Sequence, residues 1–213
     1  MLDPPDLLLY LCMDKTLIPG RPIIEVVEEA IAGGVTMVQL REKEAATGEF
    51  YRIAREVQAV TQYRHVPLVI NGRLDIALAV DADGLHIERT DMPLSVARHI
   101  AGDNLFIGFS ASTVEDALLA QTEGADYLSM GTVYPAGNEA DTEEALMLEK
   151  LAEIRAAVKI PVVGTGGINA DNAAEVMKTG AAGAAIASGI LSQPDIKEAA
   201  RKLRRILDEA RLY

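Results

Sequence analysis

A closed (β/α)8 barrel of the TIM type, forming a single α/β domain over residues 1–213, is the fold class this sequence predicts, and three observations predict it. Short runs rich in Val, Ile and Leu alternate with longer amphipathic stretches from one end of the chain to the other. Many of the apolar runs are introduced by a Gly-Ala or Ala-Asp-Gly step, as at Ala32-Gly33-Gly34, Asp81-Ala82-Asp83-Gly84, Gly124-Ala125-Asp126 and Gly180-Ala181-Ala182. Eight such units in 213 residues of 49% apolar composition suit a small barrel with a sizeable core. A doubly wound open sheet also alternates in this way, but no glycine-rich dinucleotide loop follows the first strand.

The first strand is predicted over Leu7 to Asp14, with the lone Cys12 as a core residue, and the first helix over Pro22 to Ala32. Strand two runs from Met37 to Glu42 and helix two from Thr47 to Gln62. Strand three covers Pro67 to Asn71, helix three Arg73 to Val80, strand four Gly84 to Glu88 and helix four Pro93 to Ala101. Strand five spans Leu105 to Ser110. Helix five, Thr113 to Glu123, opens with Thr113 ahead of Glu115 and Asp116 and closes at Gly124. Strand six, Tyr127 to Thr132, precedes helix six over Leu146 to Val158. Strand seven is Pro161 to Gly166, and helix seven, Asp171 to Thr179, stops before Gly180. Strand eight, Ala182 to Ser188, precedes a last helix over Asp195 to Ala210, whose Leu203, Ile206, Leu207 and Ala210 form a core-facing stripe.

The balance of 32 acidic against 20 basic residues, a net charge of −12, argues against a nucleic-acid partner. The absence of Trp and an aromatic content of 4% argue the same way. A single cysteine allows neither an internal disulfide nor a thiolate metal site. No signal peptide and no run of about 18 apolar residues is evident, so no membrane partner is expected and a cytoplasmic location is. A homo-oligomer is compatible with the sequence.

Against that acidic background, the run Met37-Val-Gln-Leu-Arg-Glu-Lys43 stands out. Alternation along a strand puts Gln39, Arg41 and Lys43 on one side and Val38, Leu40 and Glu42 on the other. A cationic face aimed into a barrel asks for an anion: a polyanionic ligand, or acidic residues on neighbouring strands. Other polar residues fall where strands end, which is where such barrels place their sites: Asn71, Glu88 leading to Asp91, and Ser110. The glycine-containing ends of strands seven and eight, with Gly166, Gly167, Ala187 and Ser188, read as a phosphate cradle built from backbone N–H groups or as simple tight turns.

These pieces occur together in a recognisable order: Val38-Gln-Leu-Arg-Glu-Lys43, Ile70-Asn71, Asp83-Gly-Leu-His-Ile87 with Asp91, Ile107-Gly-Phe-Ser110, Gly124-Ala-Asp-Tyr127 and Pro161-Val-Val-Gly-Thr-Gly-Gly-Ile168. Over nearly the whole chain they resemble the thiamine phosphate synthase family, which includes the thiazole tautomerases. The resemblance implies a transferase that joins hydroxymethylpyrimidine diphosphate to hydroxyethylthiazole phosphate, releasing pyrophosphate with the help of Mg²⁺. It implies that Gln39, Arg41, Lys43 and Asn71 hold the pyrimidine diphosphate, that Asp91 binds the metal and that Ser110 contacts the departing pyrophosphate. Lys43 and Ser110 are the catalytic candidates among them. Gly167, Ala187 and Ser188 would hold the thiazole phosphate, with Asn138 as a further contact.

Four positions depart from the family pattern. Gly72 stands where the family has a second metal-binding Asp, and Glu88, at a position commonly glycine, is a candidate substitute. In the loop after strand six, Ala136, Asn138 and Glu139 replace two Thr and a Lys, which leaves Lys43 with Arg41 or Arg73 to carry the diphosphate charge. Ser112 replaces the His expected to move the proton in a tautomerase, and His65, His86 and His99 do not substitute for it, His86 reading as a satisfied barrel residue. Two alternatives therefore stand beside the transferase: a catalytically impaired member binding a phosphorylated thiazole or thiamine-like ligand, and a tautomerase-like isomerase. The acidic stretches Glu139 to Glu144 and Asp208-Glu209 read as solvated faces.

Overall fold

The computed structural model describes residues 5–134 and 140–211. Its strands are β1 (Leu9–Asp14), β2 (Met37–Arg41), β3 (Leu68–Asn71), β4 (Gly84–Ile87), β5 (Phe106–Ser110), β6 (Tyr127–Met130), β7 (Val162–Thr165) and β8 (Gly183–Ile186). All pair in parallel and in sequence order, and β8 returns to β1 through Leu9 opposite Ala184 and Tyr10 opposite Ala185, closing the barrel. The helices are α1 (Ile23–Ala32), α2 (Thr47–Arg64), α3 (Leu74–Ala79), α4 (Leu94–Ala101), α5 (Val114–Thr122), α6 (Ala140–Ala157), α7 (Ala173–Lys178), α8 (Ser188–Leu191) and α9 (Ile196–Arg211). Among the described residues no helix is long and apolar enough to cross a membrane.

Strand alternation sorts the apolar side chains into two cores. Val38 and Leu40 of β2 point outward and join the large cluster between barrel and helices, together with Leu203 and Leu207 of α9. Met37 points inward with Tyr10, Val69, Phe106, Tyr127 and Val163 and fills the lower barrel. Filling that space leaves no pore, so ligand chemistry is confined to the strands' carboxyl ends. The Thr113 side chain accepts a hydrogen bond from the Asp116 N–H at 3.1 Å, the N-cap its position predicts.

Several boundaries move by one or two residues, and two of the differences bear on the site or its surroundings. Helix six begins at Ala140 rather than Leu146, so part of the acidic stretch read as a solvated face belongs to a helix; the sequence offers Ala140, Glu143 and Glu144 as good helix formers there. Strand eight stops at Ile186. The Ala187 carbonyl accepts from the N–H groups of Ile190 and Leu191 at 3.0 and 2.8 Å, so Ser188 opens α8 instead of ending the strand.

Candidate functional site

Parallel strands bring all eight carboxyl ends to one face, where a cavity of about 240 Å³ opens. Gln39, Arg41 and Ser110 line it, joined by Ala187 on the β8 side and by Glu88 just past β4. The inward side of β1 contributes Tyr10, Cys12 and Asp14. Cys12, expected as a core residue, packs against the inner core and also reaches this cavity, half-buried, and desolvation pushes its thiol up to about 12 against the opposing influence of Arg41. The thiol is therefore protonated and a weak nucleophile.

The cations of strand two are not sealed in the interior. The side chains of Arg41 and Lys43 are 35% and 50% exposed, at the rim of the mouth. Lys43 lies two residues beyond the end of β2 yet keeps the same side as Gln39 and Arg41. All of this polarity converges on Glu88, whose carboxylate lies 3.0 Å from the Lys43 Nζ, 3.9 Å from the Arg41 Nε and 3.5 Å from the Asn71 Nδ2. Burial alone raises the Glu88 carboxyl, but Lys43, Arg41 and Asn71 outweigh it and hold it below the usual carboxylate range. Arg41 also donates to Asp14 Oδ2 at 3.2 Å. The opposite face of the run behaves differently: Glu42 is buried outward against Lys15, 3.0 Å away.

Beneath the cations the barrel floor is polar. Gln39 Nε2 donates to the Tyr10 hydroxyl, which lies 2.8 Å from the Tyr127 hydroxyl, itself 3.0 Å from His86 Nδ1. His86 Nε2 reaches Ser110 Oγ at 2.9 Å and Ser129 Oγ at 3.3 Å, and the two serine oxygens are 3.1 Å apart. Burial lowers the imidazole from 6.5 to about 4, with the Glu88 charge opposing weakly, so His86 is neutral. The same burial pushes both phenols well above their usual range.

Asp91 stands outside the cavity. It lines a neighbouring groove with Gly72, Arg73 and Met92, its Oδ2 accepting from the Glu88 N–H at 2.8 Å. Glu88 and Asp91 are thus adjacent through the backbone while their carboxylates serve different partners. Among the described residues no three His, Cys, Asp or Glu side chains converge as a metal-binding group. Arg73 is committed to Asp75, at 2.8 and 2.6 Å, and to Thr47 at 3.0 Å, so it does not reinforce Arg41 and Lys43. Ser112 donates to Asp116 Oδ2 at 3.0 Å on the exposed rim. His99 is exposed on α4, and His65 ends α2 in a left-handed conformation. None of these three supplies a base at the cavity.

On the far side of the mouth, Gly167 has φ +68°, and a Cβ there would run into the Tyr134 carbonyl. The loop is braced: Val133 N–H donates to Thr165 O at 2.8 Å, Tyr134 N–H to Gly166 O at 3.1 Å, and Asn172 Nδ2 to Gly167 O at 3.1 Å. Gly167 and Ser188 are exposed at this rim, with Ala187 between Ser188 and the cavity. Ala136, Asn138 and Glu139 lie outside the described residues.

Among the cavity residues that the sequence does not assign to the site are Tyr10, Asp14, His86, Ser129 and Thr165. Period-two alternation from Tyr127 would have found Ser129 on the same face of β6. Tyr10 carries no such signal, because its partner Tyr127 is 117 residues away.

The family model described as thiamine monophosphate synthase matches residues 9–190. Over 195 residues the chain is 48% identical to the thiamine-phosphate synthase of Clostridium botulinum strain 657, covering 92% of this chain and 95% of the relative. It is 45% identical over 204 residues to the thiamine-phosphate synthase of Clostridium tetani, covering 96% and 97%. The solved thiamine phosphate pyrophosphorylase from Pyrococcus furiosus superposes with a TM-score of 0.88 at 42% identity, covering 97% of this chain and 98% of that one. A closed barrel bearing the ordered motifs on its carboxyl face, matched over nearly its whole length, places this chain in the thiamine phosphate synthase family.

Proposed function

We propose that the chain is a transferase of thiamine biosynthesis, joining hydroxymethylpyrimidine diphosphate to hydroxyethylthiazole phosphate with release of pyrophosphate. The observation that carries the reading is the convergence of Arg41, Lys43 and Asn71 on one carboxylate at the cavity rim. Side chains that hold one anion in this way are arranged to take the oxygens of another. Arg41, Lys43 and Asn71 hold the diphosphate, Gln39 orients the pyrimidine from the cavity wall, and Ser110 meets the departing pyrophosphate. Gly167, Ala187 and Ser188 hold the thiazole phosphate across the mouth.

The chemistry asks for positioning and charge neutralisation. The electron-rich pyrimidine expels pyrophosphate, both bonding electrons leaving with the oxygen, and the thiazole nitrogen lone pair closes the new C–N bond on the resulting methylene cation. No general base is required for that substitution, which agrees with a neutral, fully partnered His86 and a protonated Cys12 beside the site.

Mg²⁺ belongs to the same proposal. Asp91 offers a carboxylate, and the absence of a side chain at Gly72 leaves it uncrowded, since a Cβ there would press on its Oδ1 at 3.0 Å. One carboxylate completed by phosphate oxygens and water suits Mg²⁺. When bound, the ion neutralises charge on the leaving pyrophosphate. Asp91 would hold it, and Glu88 keeps to the cations unless the diphosphate displaces it.

Equilibrium binding of each substrate half tests the proposal. The protein is expected to bind thiazole phosphate without metal and pyrimidine diphosphate more tightly with Mg²⁺. Retention of the thiazole phosphate with no measurable affinity for the diphosphate would overturn it in favour of a binding protein.

A further inference from the structure

The polar floor of the barrel is unexplained by substrate charge. Tyr10 and Tyr127 are fully buried and His86 is 3% exposed, a setting in which an unpaired hydroxyl or ring nitrogen is costly. They satisfy one another in a single chain from Gln39 to Ser110. The chain needs room: a Cβ on Gly108 would fall on the Tyr127 ring, so the glycine of Ile107-Gly-Phe-Ser110 is what lets that phenol reach His86. One arrangement thus accounts for a residue in each of four sequence motifs.

Hydrogen counting gives the chain a direction. The Gln39 amide nitrogen can only donate, so the Tyr10 oxygen accepts and the single Tyr10 hydrogen passes to Tyr127. Tyr127 then donates to His86 Nδ1, and a neutral imidazole accepting there carries its proton on Nε2. That N–H donates to Ser110 Oγ. Ser129, 4% exposed, finds Nε2 already protonated, and Ser110 Oγ, 3.1 Å away, is the neighbouring side-chain oxygen that can take its hydrogen in this chain. Both lone pairs of Ser110 are then occupied, and its own hydrogen is left for the cavity.

We infer that this chain is a one-way relay in which Gln39 sets the polarity, His86 is locked as the Nε2–H tautomer, and Ser110 is thereby presented to the cavity as a hydrogen-bond donor. Tyr10, Tyr127 and His86 are positioning residues acting through Ser110. A preset O–H donor suits an oxygen that gains negative charge during reaction. That use rests on the proposed transferase reading; the tautomer does not.

The test is a long-range ¹H–¹⁵N correlation spectrum of the uniformly ¹⁵N-labelled full chain at neutral pH, with the His86 ring assigned by comparison with His86→Gln. Protonated Nε2 and lone-pair Nδ1 resonances are expected, and Tyr127→Phe, which removes the donor to Nδ1, should give a mixture of tautomers. In turnover, His86→Leu should lower kcat roughly tenfold or more with pyrimidine diphosphate affinity within about twofold. His86→Gln, whose amide N–H can stand in for Nε2–H, should recover most of that loss. A wild-type imidazole protonated on Nδ1, or charged, overturns the relay whether or not any variant folds. Equal kcat for the Leu and Gln variants overturns the positioning role. The expected tautomer in a wild-type protein that makes no thiamine phosphate would leave the relay standing and remove the transferase reading.

Discussion

The Glu88 carboxylate lies 3.0 Å from the Lys43 ammonium, across 45 residues of sequence, and under the proposed function it stands where the diphosphate is to be held by Lys43 and Arg41. On that reading an incoming diphosphate displaces it. Glu88→Gln should therefore tighten the binding of inorganic pyrophosphate, by about 1 kcal/mol or roughly fivefold, the modest figure reflecting the partial exposure of all three groups. Calorimetric titration without metal measures this; unchanged or weaker binding would mean that Glu88 organises the cations rather than competing with the ligand.

Arg41→Ala removes a guanidinium already spaced for an anion. Loss of about 1.5–3 kcal/mol in pyrimidine diphosphate affinity is expected, with thiazole phosphate binding unchanged. Parallel titrations of the two ligands check both halves, and equal loss for both would contradict the separation of the two phosphate sites.

Gly72→Asp places a carboxylate against Asp91. A left-handed backbone, φ +68°, and the like charge should lower stability by about 1–2 kcal/mol in the absence of metal. Added Mg²⁺ should then raise the melting temperature of the variant more than that of the parent. Equal Mg²⁺ responses would place the metal elsewhere than beside Asp91.

Buried His86 has a folded-state value of about 4 against an ordinary 6.5, so the unfolded chain binds the extra proton first as pH falls. Its contribution to stability is complete above about pH 6.5 and is lost on descending toward pH 4, with a slope approaching 1.4 kcal/mol per pH unit, about one proton's worth. Urea unfolding at several pH values, with His86→Gln as the control that lacks this slope, measures it.

Gly108→Ala should destabilise the fold by about 1–3 kcal/mol, since the added methyl meets the Tyr127 ring inside a filled barrel. A shift in the urea midpoint reports it, and a neutral result would mean the ring has room to move.

What could be read in advance follows from the range of the forces involved. The alternation of β2 has a period of two, so the shared side of Gln39, Arg41 and Lys43 was visible in seven residues. Closure of the barrel followed from eight βα units. That Arg41 and Lys43 could meet acidic residues of other strands is legible in the sequence; that Glu88 is the partner of Lys43, and Tyr127 that of Tyr10, is not, because each pair joins strands that meet only after the barrel closes. Tyr10 sits in an apolar run and reads as core, which its ring is; only its hydroxyl belongs to the site. Arg73 reads as a spare cation because its charge is plain in the sequence, whereas its engagement by Asp75, two residues on, appears only in the fold.

The measurement that bears most directly on the account is product formation: purified protein, pyrimidine diphosphate, thiazole phosphate and Mg²⁺, followed by mass beside a Lys43→Ala control. Thiamine phosphate and pyrophosphate are expected in equal amounts, dependent on Mg²⁺ and lost in the control. No thiamine phosphate from a folded protein that still binds the thiazole phosphate would contradict the transferase assignment.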